Sequence, residues 1–470
     1  MTIAYNSRNF GGNAKTALKD ETLRAAMKKA TDLFSDHRRA AVDAMPEWEE
    51  LRERARAIKE DTLFHLDRYL EQFVENAERA GVKIHWARDA KEACEIVARV
   101  VRDVGAHRLV KAKSMTTEEI GLNRALEEDG CDPIETDLGE WIIQLAGEMP
   151  SHIIAPAIHK TKEQVSDLFV DKLGVAPTDD INEMAATARR VLRRHFAQAD
   201  LGVSGVNFGI AETGSILLVE NEGNIRLTTS LPRVHIAVMG IEKLLPRFRD
   251  LEVFLRLLAR SGTGQKLTSY QSLITGPNRG GEGPDEVHVL LLDNGRSAML
   301  RRRVTRQSLA CIRCGACLNV CPVYKEIGGH AYGSVYSGPI GAVITPQLAG
   351  LEPAAQLPFA SSLCGACRDV CPVKIDLPEL LLALRAEVSG GGNGRPPRGS
   401  PPVGSRGERR AFRAWSWIMS SPMRYRLAAK LARIFPNVWH KRAGAWTEAR
   451  DLRPLAPKSF REEWRKRRKA

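Results

Sequence analysis

Two cysteine runs constrain this chain more than any other feature. Residues 311–322 read CIRCGACLNVCP and residues 361–372 read SSLCGACRDVCP. In register, Cys314, Cys317 and Cys321 fall on Cys364, Cys367 and Cys371, and Cys311 falls on Ser361. Residues 314–323 and 364–373 agree at eight of ten positions, so the repeat is internal. C-x2-C-x2-C-x3-C-P is the spacing of a two-cluster iron–sulfur module. Its first three thiolates cap one cluster, and the fourth cysteine reaches the other. Thiolate also suits the soft iron of such clusters. The spacing therefore predicts one cluster on Cys311, Cys314, Cys317 and Cys371. A second falls to Cys321, Cys364 and Cys367, one thiolate short. Ser361 Oγ as fourth ligand, a three-iron cluster, and a four-iron cluster with one open iron all remain compatible with it. The expected cofactors are two [4Fe-4S] clusters, with [3Fe-4S] as the alternative in the second. A pair of zinc sites fits less well, because zinc knuckles do not need the Cys-Pro ending.

Seven of the nine cysteines lie between 311 and 371. Cys94 and Cys131 stand alone and read as small buried apolar residues. At 470 residues, with no apolar N-terminal stretch and no run of about 20 apolar residues, the expectation is two or three domains in a cytoplasmic protein. A disulfide scaffold does not fit such a chain. No glycine-rich nucleotide loop is evident.

Charge divides the chain unevenly. Residues 408–470 hold 18 Lys/Arg against 5 Asp/Glu, which matches the whole chain's net +13. Residues 1–389 are left slightly acidic. Between them, residues 390–407 carry 11 Gly or Pro in 18 positions and read as a flexible linker. The basic tail holds Trp415, Trp417, Trp439, Trp446 and Trp464. Met423, Leu427, Leu431 and Phe435 fall on one helical face after a Ser421-Pro422 start. Such a tail suits an acidic partner or, through peripheral contact, the inner face of an anionic membrane. Nucleic acid is a weaker reading.

Residues 1–80 read as an N-terminal helical segment. Residues 81–299 alternate strands (KIHWA, RLVKAKS, SHIIAPAI, HIAVMG, EVHVLLLDNG) with helices (ACEIVARVVRDV, TTEEIGLNRALEEDG, TKEQVSDLFVDKLG). That alternation predicts an α/β domain with a mostly parallel sheet. GVNFGIAETGSILLVEN reads as two strands around a tight turn at Glu212, Thr213 and Gly214. Residues 300–389 hold the cysteine module.

Two stretches of the α/β region can hold a small anion. Lys111, Lys113 and Ser114 stand at a strand end and helix start, where free N–H groups point outward. Glu212, Thr213 and Gly214 stand at a turn beside a strand end. Ordinary cap and turn chemistry explains both equally simply. Glu135, Asp137, Glu140, His159 and Lys160 are further polar candidates. His330 and Tyr332 are expected near the first cluster, where they can tune it or pass protons.

The cysteine pair, with IGGHAYGSVYSGPIGAVITP between and PVKIDLPELL after, resembles the lactate utilization iron–sulfur protein B family. TDLGEWIIQLAGEMPSHIIAPAIHKTKEQ, GIAETGSILLVENEGN and GPDEVHVLLLDNGRS resemble the LUD domain of that family. WTEARDLRPLAPKSFREEW resembles its C-terminal region. The resemblance implies an α/β LUD domain similar in fold to the sugar-phosphate isomerase and CoA-transferase group. It implies an α-helical ferredoxin domain after it, then a basic helical tail. It also implies two partners, a cysteine-rich iron–sulfur protein and a second LUD-domain protein, in oxidising L-lactate to pyruvate. Three cysteines in the second motif are common in that family. The leading expectation is an electron-transfer subunit. An enzyme acting itself on a small carboxylate, with the incompletely ligated cluster as Lewis acid, is the alternative, and a regulator binding nucleic acid is a third.

Overall fold

The computed structural model describes residues 6–148, 157, 160–278, 280–389, 406–434 and 456–468. The chain divides into two compact units, Met1–Val388 and Ser389–Ala470.

The first unit holds ten strands: β1 (Lys83–Ala87), β2 (Leu109–Lys111), β3 (Pro133–Glu135), β4 (Leu201–Gly205), β5 (Phe208–Ile210), β6 (Ser215–Glu220), β7 (Val234–Gly240), β8 (Leu244–Leu245), β9 (Tyr270–Ile274) and β10 (Glu286–Leu292). Six form a sheet in the order β1-β10-β7-β4-β2-β3, with every neighbouring pair parallel. The sequence explains the burial. VHIAVMG of β7 is buried at every position, and EVHVLLL of β10 at all but the first. A strand covered on both faces needs a continuous apolar run. The helix Ala90–Asp103 covers one face with Ala93, Ile96, Val97, Val100 and Val101. Asp89 caps its start by accepting from the Glu92 N–H.

The remaining strands form a smaller sheet in the order β8-β5-β6-β9. The GIAETGSILLVEN stretch forms its central hairpin, with Phe208 opposite Leu217. Gly214 turns it at φ 68°, and a Cβ there would lie 2.2 Å from the Ala77 backbone nitrogen, so only glycine fits.

Two strands and one helix escape the sequence reading. β3 is three residues long. β4 is LGVSG, with glycine at 202 because a Cβ would sit 1.9 Å from the Thr228 carbonyl oxygen. The helix Ile181–Gln198 carries six charged or histidine side chains that blur its apolar stripe. The single helix expected over 116–130 is two, Met115–Glu119 and Leu122–Glu128, because Gly121 turns left-handed at φ 68°. The strand expected over SHIIAPAI lies, apart from Ala157, outside the described residues.

The N-terminal helices serve two different cores. Met27 of Glu21–Asp43 and Trp48, Leu51 and Ala55 of Trp48–Phe64 pack in one cluster with Leu309, Cys317, Cys321, Tyr332 and Leu381. Leu66, Leu70, Phe73 and Ala77 of Leu66–Arg79 pack instead under the sheet, with Ile216, Val287 and Val289. Residues 21–64, read from sequence as part of a separate segment, therefore complete the core of the cysteine region. Truncating a side chain such as Leu51 at that junction costs about 2–5 kcal/mol.

In the second unit, the helices Arg406–Met419, Pro422–Ile434 and Phe460–Arg467 are described. Met423, Leu427 and Leu431 share an exposed face, and Trp415, Trp417 and Trp464 are exposed. Phe435, Trp439, Trp446 and nearly all of the expected linker lie outside the described residues. Among the described residues, no helix is long and apolar enough to cross a membrane.

Candidate metal centre

The two cysteine loops have the same backbone. Arg313 and Leu363, equivalent by register, both stand in the left-handed region at φ 60° and 57°. Gly315 and Gly365 follow at φ 79° and 90°. The Arg313 N–H donates to Cys311 Sγ at 3.4 Å, and the Leu363 N–H donates to Ser361 Oγ at 3.1 Å. Ser361 thus points its oxygen where the first loop points a sulfur. Each loop ends in a short helix, Ala316–Asn319 and Ala366–Asp369.

Cys311, Cys314, Cys317 and Cys371 line one cavity, together with Ile312, Arg313 and Ile340. Three of these thiols come from the first run and one from the second. Cys321 lies instead near Cys364, and Cys367 is influenced first by Cys321 among its thiol neighbours. Burial pushes the thiols up: Cys371 to about 11, Cys367 to about 12, and Cys314 and Cys317 in the same direction. Neighbouring thiols add to the push. A thiophilic metal group displaces such protons and reverses the preference. Cys364 is exposed, and Ser361 is half-buried with its carbonyl accepting from Arg385 at 2.9 Å. Among the described residues, no group of three or more His, Cys, Asp or Glu is arranged to hold a metal ion. Four thiols around one cavity are the donor set that a [4Fe-4S] group takes.

The first loop is seated on the carboxyl edge of the six-stranded sheet. Arg296 donates to both oxygens of Glu119 at 2.8 Å and to Glu242 at 2.6 Å. Tyr336 Oη donates to Glu119 at 2.5 Å. The Arg313 guanidinium stacks 4.6 Å from the Tyr336 ring centroid and stands 3.7 Å from Glu242. Burial opposes charge on Glu242, but Arg296, Lys243 and Arg313 hold its pKa down to about 2. The helix Trp48–Phe64 adds Lys59, bound to the Glu242 carbonyl at 2.6 Å, and Arg52, bound to the Cys371 carbonyl at 2.9 Å. None of these residues was singled out by sequence. The one signal available was the Arg/Leu difference between CIRC and SSLC.

The strand-edge candidates form a second polar cluster. Lys111, buried at the end of β2, pairs with Glu135 at the end of β3 at 2.7 Å. Burial opposes the lysine's charge, but Glu135 and Glu118 outweigh it and raise its pKa. Lys113 lies 3.6 Å from Glu140. Burial, reinforced by neighbouring carboxylates, pushes Glu118 to about 7 and Glu140 to about 9. Glu118, Glu135 and Glu140 each keep one buried oxygen without a hydrogen-bond donor. Ser114 accepts from the Thr117 N–H and Asp137 from the Glu140 N–H, so both act as helix caps. Lys160 pairs with Glu148 at 2.6 Å, and His159 lies outside the described residues.

Glu212, Thr213 and Gly214 belong to the other sheet and are engaged by their own turn. Asn76 donates to the Glu212 carbonyl, Glu212 accepts from the Phe248 N–H, and Thr213 accepts from the Ser215 N–H. Tyr332 is fully buried between Phe10 and Tyr324, and burial raises its pKa, with Cys321 the next influence. It neighbours Cys321 of the second set and Cys317 of the first. His330 is exposed.

With this geometry in hand, the chain falls into a class: an α/β domain carrying a paired cysteine module. Three family models agree. The LUD domain matches residues 70–292, the 4Fe-4S dicluster domain 307–375, and the C-terminal region of lactate utilisation protein B 383–469. Lactate utilization protein B of Shouchella clausii is 43% identical, covering 100% of this chain and 99% of its own. The protein of the same name from a Geobacillus species is 44% identical, again covering 100% and 99%. This chain belongs to the lactate utilization protein B family. A solved DUF162-family protein from Deinococcus radiodurans aligns over 48% of this chain and 98% of its own at 14% identity and a TM-score of 0.29, too distant to inform the fold.

Proposed function

We propose that this chain is the iron–sulfur electron-transfer component of a system that oxidises L-lactate to pyruvate. The observation that carries the reading is the single cavity lined by Cys311, Cys314, Cys317 and, from the other run, Cys371. A crossed set of thiols is what two linked clusters require. The clusters would supply one-electron carriage. Cys311, Cys314, Cys317 and Cys371 would hold one [4Fe-4S] cluster. Cys321, Cys364 and Cys367, with Ser361 turned toward the same place, would hold the second, of four irons or three. The protein part of the task is to keep the first site dry and to leave the second near solvent.

The relatives' shared name supports a role in lactate utilization. On this reading the partners are a cysteine-rich iron–sulfur protein and a second LUD-domain protein, and the work is cytoplasmic. Residues 81–299 serve as an LUD domain of the sugar-phosphate isomerase and CoA-transferase type, 300–389 as a helical ferredoxin domain, and 408–470 as a basic docking tail after the 390–407 linker. The exposed apolar face of Pro422–Ile434 suits an acidic partner or an anionic lipid surface.

A second reading is favoured by one observation. The buried carboxyl groups of Glu118, Glu135 and Glu140, around Lys111 and Lys113, are under-bonded, as groups awaiting a ligand are. An LUD domain acting itself on a small carboxylate would use that edge. Purified chain with L-lactate and an artificial electron acceptor separates the two. The electron-transfer reading expects no turnover until the partners are added. Turnover by the chain alone would favour the second.

A further inference from the structure

The repeat contains its own control experiment. Positions 313 and 363 share a backbone conformation and the same hydrogen bond to the side chain two residues back. They differ in charge: arginine in the first loop, leucine in the second. Arg313 lines the cavity with the four thiols, its guanidinium held between the Tyr336 ring and Glu242. Its Nη1 is buried and donates to nothing in the protein. Two other buried guanidinium groups nearby are already committed, Arg296 to Glu119 and Glu242 and Arg52 to the Cys371 carbonyl. No such cation stands at 363, where Leu363 is half-buried beside the exposed Cys364.

We propose that Arg313 helps to make the two sites electrically unequal, by raising the reduction potential at the Cys311/Cys314/Cys317/Cys371 site. The inference rests on the cluster reading above. Four thiolates around an iron–sulfide core leave a net negative centre, and reduction adds one more charge. Burial alone disfavours that addition, because water no longer solvates it. A fixed cation in the same low-dielectric cavity offsets the added charge. Arginine suits the position because it stays protonated when buried. Arg313 is thus a positioning residue for charge, while the thiols do the binding.

Redox titration of the full-length anaerobic protein, followed by electron paramagnetic resonance, tests this. Cys314→Ser and Cys364→Ser first assign each signal to its site. Arg313→Leu copies the residue that the second loop already tolerates at this backbone angle. It should move the midpoint of the Cys314-dependent signal to lower potential and leave the Cys364-dependent one in place. Arg313→Lys should recover most of the shift. An unmoved midpoint with iron retained, or a lysine variant no different from the leucine one, overturns the inference. Should Arg313→Leu lose the cluster, Leu363→Arg decides: it should raise the midpoint of the Cys364-dependent signal, and an unchanged midpoint there overturns the inference equally. Iron and sulfide are counted on the same samples. Absence of sulfide in the unmutated protein would defeat the cluster reading, whereas sulfide with unmoved midpoints would defeat only the role of Arg313.

Discussion

The two cysteine loops are near-copies in sequence and backbone, yet they live in different surroundings. The first is walled in. Residues 315–319 are buried throughout, the helix Trp48–Phe64 lies against the module, and the Glu119–Arg296–Glu242 network anchors it to the sheet edge. The second presents Cys364, Arg368 and Asp369 to solvent. The difference teaches that a repeat fixes geometry while its neighbours fix chemistry. The same loop, given a fourth thiol and an arginine with a buried Nη1, or a serine and a leucine, yields two unequal sites.

The largest effects should come from the thiols. Cys371→Ser should abolish the same resonance signal as Cys311→Ser, although the two lie in different runs, because both line one cavity. Cys321→Ser should behave like Cys364→Ser. If Cys371→Ser instead removes the signal that Cys364→Ser removes, the crossing fails and the loops act separately.

Next in size is the anchor that only the first loop has. Arg296→Leu strands two buried carboxylates, Glu119 and Glu242. Breaking a buried pair from one side costs about 3–5 kcal/mol. Denaturant unfolding should show a loss of that order, with the Cys314-dependent signal broadened or lost first. An unchanged unfolding midpoint would mean that the network does not seat the loop.

Ser361→Cys should have a smaller and more selective effect. Its oxygen already accepts the Leu363 N–H as Cys311 sulfur accepts that of Arg313. The new thiolate should convert a three-iron second cluster toward four irons. It should close an open iron, or shift the potential if Ser361 was itself a ligand. Identical iron content, spectrum and potential would show that residue 361 faces away from the site.

Removal of residues 390–470 should have the smallest effect on the clusters, since Met1–Val388 forms a compact unit. Iron and sulfide content should be unchanged, while co-purification with partners or binding to anionic vesicles falls. Loss of iron would show that the tail supports the module after all.

The sequence made the cysteine pairing legible because the ligand spacing is local and repeated. It made the parallel sheet legible where strands are long apolar runs, as in β7 and β10. It hid β3, which has three residues, and β4, whose glycine at 202 answers to a distant carbonyl. It also hid the seat of the first loop. Lys59, Glu119, Glu242, Arg296 and Tyr336 are far apart in the chain, and each alone looks like an ordinary surface residue. Burial together gives them meaning, and burial is a tertiary fact. The pairing of Lys111 with Glu135 is half-visible, because both stand out as polar candidates while their contact is tertiary.

The most direct test of two unequal, crossed clusters is the metal and sulfide content of anaerobically purified full-length protein, read with its resonance spectrum. The account predicts about seven to eight irons per chain, from two clusters of three or four irons each, with matching sulfide and two distinguishable signals. Stoichiometric zinc without sulfide would contradict it.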